Sequence, residues 1–129
     1  MPTSNNFFTF QDGMVVQKGK TYVVEFYENS KQIMVPEEHA REIAYSCDLN
    51  IQDVAILLGY IEYARSEVNK GNGKRTRKMP VEVIRDALPV VLQYGGIESV
   101  IDKISQLKYY EIRDVFYSKD PIGELERFI

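Results

Sequence analysis

Five cations fall within nine positions of this chain: Lys70, Lys74, Arg75, Arg77 and Lys78. They sit among glycine and asparagine in NKGNGKRTRK, a stretch with no apolar residue, so the composition predicts a basic loop. Such a loop could neutralise several phosphates and bind nucleic acid without sequence preference, in a salt-dependent way. The same cations suit an acidic protein surface equally well. A solvated linker is the plain alternative. The rest of the chain weighs against a duplex laid across it, because 11 basic residues there face 19 acidic ones. Aromatic residues for base stacking are absent from the loop itself.

Tyrosine is the second chemical feature. The chain has nine tyrosines and six phenylalanines but no tryptophan. Tyr60 and Tyr63 fall on one side of a predicted helix, while Tyr109, Tyr110 and Tyr117 cluster near the C-terminus. Tyrosine joins a large contact area to a polar tip and is enriched in protein interfaces. These five are candidates for a protein-binding surface or for a homodimer interface; buried core is the plain reading.

Residues that could catalyse are sparse. His39 is the single histidine, placed in the first turn of a predicted helix beside Glu38 and Arg41, where an exposed capping role is expected. Cys47 is the single cysteine. Between Ile43 and Leu49 it reads as a buried small hydrophobe, and it cannot form an internal disulfide. No Cys/His set has zinc spacing, and KGNGK lacks the strand, helix and Lys-Ser/Thr end of a phosphate-binding loop. The sequence therefore implies no enzyme, metal or cofactor.

The stretch 40–59 has the spacing of a helix-turn-helix, with Asp48 where a glycine is common in the turn. Its recognition face would carry Gln52, Asp53, Ile56 and Tyr60. Only Gln52 suits base reading, and Asp53 opposes phosphate. Helix packing with a coincidental spacing is the better reading.

These side chains need a scaffold, and the pattern supplies one. FFTF leads through an Asp-Gly turn into MVVQK; TYVVEFY is rich in β-branched and aromatic residues, and QIMV closes the set. Alternation puts Tyr22, Val24 and Phe26 on one face and Val23, Glu25 and Tyr27 on the other. A helix follows Pro36. The segment 51–68, IQDVAILLGYIEYARSEV, is apolar on two sides, so it is expected at the centre of the fold. Pro80 suits a helix start, Pro89 should kink or restart that helix, and Gly95-Gly96 should stop it. A fourth helix is expected over 97–108, then a bent continuation or a short fifth helix.

The fold predicted is α+β in one 129-residue domain. An N-terminal antiparallel meander of about three strands (7–35) packs on four to five helices. The helical pair 37–68, basic loop 69–79, helical pair 80–118 and C-terminal turn 119–129 complete the chain. No stretch reads as a signal peptide or a membrane span, so the expected location is the cytoplasm. The function expected is that of a small non-enzymatic adaptor, inhibitor or assembly factor acting through protein contacts, of the kind phages and mobile elements encode. The alternative is a nucleic-acid-binding or regulatory protein using the loop 70–78.

Overall fold

The computed structural model describes residues 7–70 and 77–128. They form an α+β fold in which an N-terminal antiparallel meander packs on helices and six helices follow the sheet. The chain divides into two compact units, Met1–Gly59 and Tyr60–Ile129. The boundary falls inside the second helix.

In the N-terminal unit the strands are β1 (Phe7–Phe10), β2 (Gly13–Lys18), β3 (Thr21–Phe26) and β4 (Lys31–Pro36), ordered β1-β2-β3-β4. The sheet has four strands, close to the three expected, and all four residues of FFTF pair with β2, from Phe7 opposite Val16 to Phe10 opposite Gly13. Gly19 takes φ 60° in the two-residue connection between β2 and β3, the conformation a tight hairpin demands. Gly13 is confined differently: a Cβ there would meet the Glu25 carbonyl oxygen at 2.0 Å.

One face of the sheet, formed by Val15, Tyr22, Val24, Phe26, Ile33 and Val35, is buried. Phe10 closes its end by an edge-on contact with Phe26, ring centroids 6.0 Å apart. The alternation in β3 is therefore as the sequence implies, with one exception. Val23, on the opposite face, is also buried, at 5 % exposure.

Helix α1 (Glu37–Cys47) contacts β4 and buries Ala40 and Ala44. Cys47, expected to be buried, is only half-buried, as is Ile43. His39 is half-buried rather than an exposed cap; its Nε2 is buried without a hydrogen-bond partner. Asp48 ends α1 at φ 55°, taking the left-handed conformation that a glycine would adopt with less strain. Asn50 then caps α2 (Ile51–Lys70), its Oδ1 accepting from the Gln52 N–H at 2.9 Å.

The first half of α2 belongs to the N-terminal unit, and Val54 through Leu58 are all buried there. Gly59 lets the helix approach β3: a Cβ at that position would lie 2.7 Å from Val24 Cγ1. Ile56, proposed as an exposed position of a recognition helix, is 5 % exposed. Ile56 is thus a packing position, while Gln52, Asp53 and Tyr60 are half-buried.

In the C-terminal unit, the second half of α2 is joined by α3 (Val81–Val91), α4 (Ile97–Ile104), α5 (Tyr109–Tyr117) and α6 (Pro121–Arg127). Ile61, Ile84, Leu88, Val100, Ile104, Val115 and Leu125 form a core with exposures of 0–1 %. Burying each such aliphatic side chain contributes about 1.5–3 kcal/mol. Helix α3 packs on α5 and α6, which pack on each other.

Pro89 lies within α3 and does not break it. The carbonyl it cannot satisfy is that of Arg85, and both residues are exposed. Helix α4 stops at Ile104, short of the expected end at 108, because the side chains of Ser105 and Gln106 bond the Asp102 carbonyl at 2.8 and 2.9 Å. The segment expected as a C-terminal turn is helical. Asp120 accepts from the Gly123 N–H at 3.2 Å and Pro121 occupies the first turn, which is enough to start α6. Ile129 lies outside the described residues.

Candidate binding surfaces

The basic stretch has well-defined ends. At one end, α2 runs past Val68 to Lys70, whose ammonium pairs with Glu67 at 3.0 Å. At the other, Met79 is fully buried, and its N–H donates to Asn69 Oδ1 at 2.9 Å. Residues expected to belong to a flexible loop, Asn69 and Met79, are thus a helix terminus and a core position. Lys74 and Arg75 lie outside the described residues.

Arg77 and Lys78 are exposed, and α5 holds the chain at this point. The Tyr117 hydroxyl donates to the Lys78 carbonyl at 2.5 Å, and the Arg77 guanidinium carbon lies 3.9 Å from the Tyr117 ring centroid. The fold therefore supplies the aromatic partner that the basic stretch lacks in sequence. The connection spans 39 residues, so no local pattern could have revealed it.

The other candidate tyrosines separate by burial. Tyr60 and Tyr63 are half-buried on the second half of α2. Tyr63 stacks obliquely on Tyr109, centroids 5.3 Å apart and planes at 38°. Tyr109 and Tyr110 open α5 at 40 % and 50 % exposure. Tyr110 has the Lys108 ammonium 6.0 Å from its ring centroid. The structure thus brings Tyr63 together with Tyr109, and Tyr117 together with Arg77 and Lys78.

The formal charge also divides. The N-terminal unit carries four basic and eight acidic residues, the C-terminal unit twelve and eleven. The acidity that opposed a polyanion at whole-chain level resides largely in the N-terminal unit.

Sequence reasoning missed the exposed apolar residues of the N-terminal unit: Phe7, Phe8, Tyr27, Met34 and Tyr45, at 45–80 % exposure. The signal was present for Met34, since QIMV alternates and its buried neighbours are Ile33 and Val35. Among the described residues, no group of three or more His, Cys, Asp or Glu side chains could hold a metal ion. No described helix is long and apolar enough to cross a membrane. A scan against known protein families, a search of characterised proteins and a search of solved structures each found no match.

Proposed function

We propose that this chain is a non-enzymatic, cytoplasmic binding protein that acts through protein–protein contacts, using the tyrosine-bearing surface of its C-terminal unit. The observation that carries this reading is the pair Tyr109 and Tyr110, adjacent and exposed at the start of α5. Tyr63 buttresses the first ring, and Lys108 lies over the second. Two large aromatic side chains with polar tips, one pre-positioned by stacking, have the character of an interface anchor. The test is affinity capture from nuclease-treated lysate with the parent and with Tyr110→Ala beside it. A partner retained by the parent and lost by the variant supports the reading; equal retention by both refutes it.

A second reading is favoured by Arg77 on the Tyr117 ring. A cation held over an aromatic face, next to the exposed Lys78, is a unit that single-stranded nucleic acid could engage by phosphate contact and stacking. Fluorescent single-stranded and duplex oligonucleotides, titrated at low and moderate salt against the parent and Arg77→Gln/Lys78→Gln, separate the two. Affinity that falls with salt and is lost in the variant selects nucleic acid. No binding at either salt leaves the protein-binding reading.

A further inference from the structure

We propose that β4 is a dimer interface, in which the edge strands of two copies pair antiparallel about Met34. Three features of the N-terminal unit lead to this pairing.

The first is the direction of the backbone groups. β4 is bonded only to β3, so one side of the strand is an edge. The Glu37 N–H donates to the Lys20 carbonyl at 2.9 Å, continuing the register in which Thr21 faces Pro36. Alternate residues of an antiparallel strand bond to the same side. Lys31, Ile33 and Val35 therefore bond towards β3, and Gln32, Met34 and Pro36 present their groups outward. Among the described residues, the outward backbone groups of Gln32 and Met34 make no hydrogen bond, whereas the Pro36 carbonyl is taken by the first turn of α1, whose N-cap it is. An unpaired edge of this kind is a template for another strand.

The second is an apolar row on the sheet face opposite the helices. Phe7, Val16, Val23 and Met34 stand in register across all four strands. Val23 in the middle is buried, while Phe7 and Met34 at the two ends are 45 % and 59 % exposed. The row ends at the β4 edge on its most exposed member.

The third is self-complementarity. A two-fold axis normal to the sheet, with the buried faces of both copies on one side, sets one residue of β4 opposite its own copy. Centred on Met34, Ile33 faces the partner's Val35, apolar against apolar. Lys31 faces the partner's Glu37. Lys31 makes no ion pair among the described residues, whereas the Glu37 carboxylate is held by Gln17 and Arg41. Met34 exchanges both backbone bonds with the partner's Met34. Pro36, which has no N–H and whose carbonyl is taken by α1, ends the ladder on each side. Centred on Ile33 instead, Lys31 would stand against the buried Val35. Charge and burial both select the Met34 register, which also makes the apolar row continuous through both sheets.

The test is sedimentation equilibrium of the full chain across the micromolar range, with Met34→Lys and with Met34→Cys in a Cys47→Ser background. Met34 is exposed, so Met34→Lys should fold, and circular dichroism checks that it does. The proposal expects a dimer in the parent and a monomer in Met34→Lys. It also expects a disulfide-linked dimer of Met34→Cys on mild oxidation, because directly opposed residues of a bonded pair have Cα atoms about 5.5 Å apart, within the disulfide range. Gln32→Cys in the same background should not cross-link. A parent that stays monomeric overturns the proposal, and so does a dimer that survives Met34→Lys or fails to cross-link at position 34.

Discussion

Asn69 Oδ1 accepts the backbone N–H of Met79 at 2.9 Å, so two residues ten positions apart close the base of the basic stretch. Met79 is fully buried, so removing this acceptor leaves its N–H without a partner. Asn69→Ala should therefore destabilise the protein by about 1–3 kcal/mol, the cost of a buried donor left unmatched. Urea unfolding measures it. An unchanged midpoint would show that the clasp contributes nothing.

Gly59 and Val24 offer a test of packing. A methyl group on Gly59 would sit 2.7 Å from Val24 Cγ1, and the helix or the strand would have to yield. Gly59→Ala should cost about 1–3 kcal/mol by overpacking. Val24→Ala alone should also destabilise, by opening a cavity in the sheet core. Together the two should cost less than their sum, since each relieves the other. Additive costs would place the strain elsewhere.

Alkaline stability should depend on Tyr22. Burial raises its hydroxyl pKa above the ordinary 10.0, against a smaller opposing influence from the Arg41 charge. The unfolded chain releases that proton first as pH rises, so it binds fewer protons than the native state and stability falls. The contribution is complete below pH 10 and is lost as pH climbs from there through the raised native value. Denaturation midpoints measured from neutral to strongly alkaline pH should fall less steeply in Tyr22→Phe. Parallel curves for the two proteins would remove Tyr22 as the cause.

Binding and stability should separate at the proposed contact surface. Tyr110 is half-exposed, so Tyr110→Ala should shift stability by no more than about 0.5 kcal/mol. Partner capture should nevertheless be lost. A large fall in melting temperature would instead make Tyr110 a structural residue.

Much of the scaffold was legible because it rests on local patterns. β3 reads as a strand from its own residues, and the two apolar sides of α2 are written in its spacing. The misses have physical causes. Helix α4 ends early through side-chain bonds to Asp102 that periodicity does not register. Pro89 stays within α3 on its exposed side, opposite the buried Ile84, Leu88 and Val91, a placement the sequence alone does not give. The candidate surface was half legible. Each basic and aromatic residue could be named, but the seating of Arg77 on Tyr117 depends on two segments meeting in space.

The strand order β1-β2-β3-β4 has a kinetic consequence. Every strand pairs with the one made just before it, so the sheet needs no search between distant parts of the chain. Contacts this local belong to the fast end of folding rates, and single hairpins close in about 1–10 μs. Ribosomes add residues far more slowly, at about 5–20 per second. Each hairpin therefore has time to sample its pairing as soon as its second strand emerges, and the sheet can assemble in the order in which it is translated.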